Sequence, residues 1–118
     1  MGVKEVENKG IDLVLEHLRD KGIIGKRVIG LGYDIETEDL KIEVKARDKR
    51  ARILQLNYSN IDAFNKYNDI ELWAVVGVTT ETPELMKVTK NTLIERKKVL
   101  KVWKFGLKNC EFDKSIKL

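Results

Sequence analysis

The side chains best suited to chemistry sit close together, in the stretch Gly32-Tyr33-Asp34-Ile35-Glu36-Thr37-Glu38-Asp39-Leu40-Lys41-Ile42-Glu43-Val44-Lys45. Side chains alternate along a strand, so Tyr33 and Ile35 are expected on one face and Asp34 and Glu36 on the other, while Ile42 and Val44 oppose Lys41, Glu43 and Lys45. A turn centred on Glu38-Asp39 pairs Thr37 with Leu40, sets Glu36 across from Lys41 and brings Asp34 opposite Glu43. Facing residues of a strand pair have Cβ atoms about 4.5–5.5 Å apart, and two like charges there destabilise the pair unless something neutralises them. A divalent cation would do so. Mg²⁺ takes hard oxygen ligands and keeps some of its water, and two carboxylates with the Val44 carbonyl between Glu43 and Lys45 offer such a half-shell. Lys45 projects from the same face, where a cation can orient or deprotonate a water or stabilise charge growing on a phosphate. Acids and lysines alternating on a hairpin also describe an ordinary solvated face. Against that reading, a face selected for stability alone would set Lys, not Glu, opposite Asp34. The distinction rests on register, because a slip of one residue sends every side chain to the other face.

The elements needed to position these residues are legible around them. Val6, Leu13, Val14, Leu15 and Leu18 recur with helical spacing over Lys4 to Arg19, and Lys21-Gly22 closes the segment as a C-cap would. Gly10 inside it costs about 1 kcal/mol of helix propensity relative to alanine. Three β-prone runs follow: Arg27 to Leu31, Tyr33 to Thr37 and Leu40 to Ala46. Ile53, Leu54 and Leu56 suggest a further short strand, and Ser59-Asn60-Ile61-Asp62 has the form of a capping box opening a helix that carries Ile61, Phe64 and Tyr67. Leu72 to Val78 is apolar on both faces, as in a central strand buried from both sides. Beyond it, Leu85 to Thr89 reads as a strand or, starting at Thr82-Pro83, as a helix. Thr92-Leu93-Ile94-Glu95 reads as a cap and Val99 to Phe105 as a last strand. The fold expected is a single α/β domain over 1–118 with an αβββαβ core, about 4–80, in which helices flank a mixed central sheet.

This order of elements, with Gly32-Tyr33-Asp34-Ile35 followed by Ile42-Glu43-Val44-Lys45, resembles the PD-(D/E)xK, or restriction-endonuclease-like, nuclease superfamily. Its members include restriction enzymes, archaeal Holliday-junction resolvases and Mrr-like nucleases, and the two phrases look most like those of the NO VEIN-type branch. Tyr33 stands where the signature has proline. The resemblance implies metal binding by Asp34, Glu43 and the Val44 carbonyl, with Lys45 as the catalytic lysine. It also implies a glutamate on the first helix that reaches the metal's waters. Glu7, spaced 7 and 11 residues from Val14 and Leu18, is the candidate and Asp12 its rival. Gln55 is an auxiliary candidate on the strand after the lysine.

Directly after Lys45 the chain runs Ala46-Arg47-Asp48-Lys49-Arg50-Ala51-Arg52, where Arg47, Lys49, Arg50 and Arg52 are candidates for holding phosphates without reading sequence. A net charge of +4 fits a polyanion partner. Arg96-Lys97-Lys98, Lys101 and Lys104 read as an exposed helix end and strand face. His17 reads as a helix packing residue, and Trp73 and Trp103 as core or interface residues. Cys110 is the only cysteine, which rules out an internal disulfide and a cysteine-based zinc site. No P-loop or dinucleotide fingerprint is present. No signal-peptide core or membrane span appears, so a cytoplasmic location is expected. The function expected is a Mg²⁺-dependent endonuclease, with Mn²⁺ as a substitute, acting on DNA, RNA not being excluded, as a homodimer. The competing readings are an inactive nucleic-acid-binding or assembly module of the same fold, and a small interaction protein with no nucleic-acid role.

Overall fold

A computed structural model describes residues 2–48, 53–88, 103–106 and 116–118. Helix α1 spans Val3–Asp20 and buries Val6, Gly10, Ile11, Val14 and Leu18; of the expected stripe, Leu13 and Leu15 are only half-buried, and Ile11 takes the inner position instead. It ends in a Schellman turn: Gly22 takes φ +77°, its N–H donates to the Arg19 carbonyl, and the Ile23 N–H reaches back to Leu18. Gly10 is kept despite its poor helix propensity because a Cβ there would lie 2.5 Å from the Ala46 Cβ. The helix therefore lies directly on the sheet.

That sheet has the order β1-β2-β3-β5-β6-β8. Its strands are β1 (Lys26–Arg27), β2 (Ile35–Glu36), β3 (Lys41–Ala46), β5 (Ile70–Val76), β6 (Glu84–Val88) and β8 (Ile116–Lys117). Among the described residues only β3 and β5 pair in parallel, which makes the sheet mixed, as expected. Helix α2 (Tyr58–Lys66) lies in the crossover between them, and β4 (Ile53–Leu56) pairs with β7 (Trp103–Gly106) in a separate ribbon. Each sheet face carries its own core. Val14, Leu18, Ile35, Ile42, Val44, Trp73 and Val75 pack on the α1 side, and Leu56, Ile61, Phe64, Leu72, Ala74 and Val76 on the α2 side. Strand β5 is buried from both directions, as its unbroken apolar run implied. His17 meets Trp73 edge-on, which fits a packing role. Among the described residues no helix is long and apolar enough to cross a membrane.

Several elements differ from their sequence expectation. Of the run from Arg27 to Leu31 only Arg27 is in a strand, the two-residue β1, and Gly30 and Gly32 take φ +79° and +82° and carry the chain off the ladder. Helix α2 starts earlier than expected. Its cap is Asn57, in a capping box with Asn60, rather than Ser59. Pro83 precedes strand β6 and starts no helix, and its carbonyl accepts from the Leu118 N–H. Strand β7 is not the last, since β8 follows it. The cap at Thr92 and the cluster at Arg96 to Lys101 lie outside the described residues, as does Cys110.

The contact at Gly10 gives a direct test. Gly10→Ala gains about 1 kcal/mol of helix propensity but forces a methyl into the Ala46 contact, an overpacking cost of about 1–3 kcal/mol. The variant is expected to unfold at lower urea concentration than the parent; an equal or higher midpoint would show that α1 does not lie this close to β3.

Candidate active-site cleft

Next to the turn the hairpin of β2 and β3 has the expected register, but the directly facing pair expected of Asp34 and Glu43 is not part of the ladder. Ile35 pairs with Ile42 and Glu36 with Lys41, and the Thr37 N–H donates to the Leu40 carbonyl. Past Ile35 the ladder breaks. The Asp34 N–H donates at 2.9 Å to the Ile42 carbonyl, one position out of step, as at a β-bulge. This break accounts for a departure from strict alternation: Tyr33 joins the core on the α2 side, opposite Ile35, and its hydroxyl donates to Glu36 Oε1 at 2.9 Å. Gly32 sits under the first turn of α2, where any Cβ would collide with the Ser59 carbonyl oxygen. Its missing side chain lets the loop pass beneath the helix and deliver Asp34.

Because β2 stops at Ile35, the peptide group of Val44 has no strand partner on that edge. The Asp34 carboxylate takes the place of one, accepting from the Val44 N–H at 2.8 Å. A residue's N–H and C=O project from the same strand edge, so the Val44 carbonyl also points to the Asp34 side. Glu43 and Lys45 emerge from the α2 face of β3, level with Leu72 and Ala74 of β5. This face is covered by α2, so it is not the solvated hairpin face of the competing reading. Glu43 is 3% exposed. Lys45 Nζ lies 3.1 Å from Glu43 Oε2 and donates to Asn60 Oδ1 at 3.0 Å. Lys41, on the same strand, pairs instead with Asp69 at 2.8 Å.

Burial and the adjacent Asp34 carboxylate push the Glu43 carboxyl up to about 9; the Lys45 ammonium pulls the other way and is outweighed. Near neutral pH Glu43 therefore holds a proton against Asp34, and its contact with Lys45 is a hydrogen bond rather than a full ion pair. The arrangement is two oxygen donors competing for one positive charge, with a lysine beside them.

These groups open into a cleft of about 410 Å³. Lys4 and Glu7 of α1 line it together with Arg27, the 28–33 loop, Asp34, Glu43, Lys45, Asn57, Ser59 and Asn60. A larger cavity of about 520 Å³ lies between the end of α1 and the β2–β3 turn. It holds Glu38, Asp39 and Glu71 with Lys87 but none of the groups just described, so size does not identify the site. Glu7 is exposed rather than turned inward with Val14 and Leu18, yet it does line the cleft; Asp12 is exposed and does not. Gln55 is exposed on β4 and is not a lining residue. Arg47 donates to the Ala46 carbonyl at 2.8 Å and borders a separate depression with Val3 and Val6. Lys49, Arg50 and Arg52 lie outside the described residues.

Lys4, Arg27 and Asn60 are cleft residues that sequence reasoning did not single out. Asn60 stands in the capping motif, which signals a helix start but not a link to a lysine on another element. Among the described residues no three His, Cys, Asp or Glu side chains converge as a metal cluster; the oxygen donors are two carboxylates and a main-chain carbonyl.

The raised Glu43 carboxyl sets a pH dependence. The folded state keeps a proton that the unfolded chain loses above the usual carboxylate range, so this contribution to stability is whole at low pH and declines as pH rises toward about 9. Without divalent cation, the urea midpoint is expected to fall between about pH 5 and about pH 8, and Glu43→Gln to flatten that slope. Equal slopes for parent and variant would remove Glu43 as its source. Comparison with protein-family models, curated proteins and solved structures returned no match to this chain.

Proposed function

We propose that this chain is a Mg²⁺-dependent endonuclease of the restriction-endonuclease-like kind, hydrolysing phosphodiester bonds of DNA in the Asp34–Glu43–Lys45 cleft. The observation that carries the proposal is the convergence of the half-buried Asp34 carboxylate, just before β2, on the buried Glu43 carboxyl of β3, with an ammonium 3.1 Å from the latter. The order α1, β1 to β3, α2, β5 adds support once β4, which pairs with β7 outside the main sheet, is set aside, because it is the order the resemblance implies.

The donor set fits the metal. Asp34, Glu43 and the Val44 carbonyl are hard oxygen ligands on one side, and the open cleft leaves room for water on the other. Bound there, Mg²⁺, or Mn²⁺ in its place, supplies Lewis-acid chemistry by polarising a phosphoryl oxygen and acidifying water. Lys45 faces the charge that builds on the phosphate as the water oxygen attacks phosphorus and the bond to the leaving oxygen breaks. It is also placed to exchange a proton with the attacking water. Glu7 offers a hydrogen-bond acceptor to water in the same cleft. Lys4 and Arg27 are cations on its walls and suit flanking phosphates, a role first expected of the Arg47 to Arg52 loop. Cutting both strands of a duplex needs two such clefts, hence a homodimer; RNA shares the phosphate chemistry and is the competing substrate. A DNA substrate and a lone thiol fit an intracellular setting.

The metal-free binding module remains the second reading, since Lys45 already has protein partners in Glu43 and Asn60. A cleavage assay with DNA and RNA under Mg²⁺ or Mn²⁺ titration separates the two. The parent is expected to cut DNA only with metal, and Asp34→Ala to lose metal binding and cutting together. Lys45→Ala should keep metal binding but lose about 100-fold or more in rate. DNA binding with no metal-dependent cutting would favour the module, and neither binding nor cutting would sink both. A proton and the cation compete at Glu43, so Mg²⁺ affinity measured by calorimetry should climb with pH until about 9, with proton release on binding. Affinity indifferent to pH would place the metal elsewhere.

A further inference from the structure

We infer that Asn60 is the positioning residue for Lys45, holding its ammonium in the cleft from the first turn of α2 and tying that turn to the loop that delivers Asp34. The inference rests on the nuclease reading for its kinetic consequence but not for its geometry. Among the described residues the buried polar or charged side chains are Glu43 and Asn60, and both meet the same ammonium. The Asn60 amide is used at both ends. Its Oδ1 accepts from Lys45 Nζ at 3.0 Å and, more weakly, from the Asn57 N–H at 3.3 Å, while its Nδ2 donates to the Gly32 carbonyl at 3.0 Å.

A capping box alone does not require this. The reciprocal bond of a cap needs one acceptor at a helix end that usually faces solvent, whereas Asn60 is 4% exposed and spends its oxygen on a cation from another strand. Asparagine is the side chain that combines, on a short stem, an acceptor for the ammonium and a donor for the loop carbonyl. Its neutrality also matters. A divalent cation held by Glu43 would repel the Lys45 ammonium and so weaken the Glu43–Lys45 contact. The Asn60 oxygen carries no charge for the metal to claim, and its hold on Lys45 persists. A flexible lysine stem then has one fixed partner at the moment when its position matters.

The test reads Lys45 itself as well as the reaction. In the parent, the Lys45 side-chain ammonium is expected to give an ordered NMR signal protected from rapid proton exchange. Asn60→Leu should lose that signal, while kcat falls about 10- to 100-fold through misplacement of the lysine. KM for DNA should stay close to the parent's. Asn60→Asp keeps the oxygen that faces Lys45 and should restore the ammonium signal. If Asn60→Leu does not fold, Asn60→Ser, too short to reach the ammonium, carries the same expectation. An unchanged Lys45 signal in the folded variant, or a loss confined to KM, overturns the proposal. If the parent cuts no DNA, the nuclease reading fails while the NMR comparison still decides the role of Asn60.

Discussion

The parallel pairing of β3 with β5 obliges the chain to leave one end of the sheet and return to the other, since adjacent parallel strands cannot be joined by a tight turn. The return path carries α2, and α2 comes to rest on the sheet face from which Glu43 and Lys45 project. A face that would be solvated in an isolated hairpin is thereby buried. The unusual properties of the cleft follow from this: an almost fully buried carboxyl, a neighbouring acid and a lysine that must find partners inside the protein.

Such a face costs stability. A carboxyl with another acid beside it and little water resists ionisation, and the lysine relieves only part of that. Apolar residues at these positions would pack against Leu72 and Ala74 at less expense, so the polar set is the kind of departure from a well-packed core that marks functional sites. The offset comes from elsewhere in the sheet. On its other face, α1 buries Val14 and Leu18 against Ile35, Ile42 and Val44, each side chain contributing about 1.5–3 kcal/mol. One strand thus presents an apolar face that holds the fold and a polar face open to chemistry.

Local devices then aim the groups. Early termination of β2 frees the peptide of Val44, and Asp34 satisfies it with a side chain instead of a backbone carbonyl. Gly32 allows the preceding loop to slip beneath α2, and Asn60 ties that loop to the lysine. A strand end, a helix cap and a glycine turn, each ordinary by itself, meet at one point and hold the carboxylates and the ammonium together.

Much of this was legible beforehand. Hydrophobic periodicity marked α1, the unbroken apolar run marked β5, and the turn at Glu38-Asp39 determined the hairpin register, because those signals lie within a few residues of chain and local physics suffices to read them. That Asp34, Glu43 and Lys45 lie near one another was legible for the same reason. Tertiary structure decided the rest. Whether the ionic face is wet or buried depends on where the crossover helix lands, and no pattern within the hairpin carries that information. The side to which Tyr33 turns depends on a ladder that breaks one residue early under α2. The partnership of Lys45 with Asn60, and the approach of Lys4, Glu7 and Arg27 to one cleft, join elements far apart in the chain. Sequence determined which residue types were able to do chemistry; packing of α2 over β3 decided that they meet in one cleft.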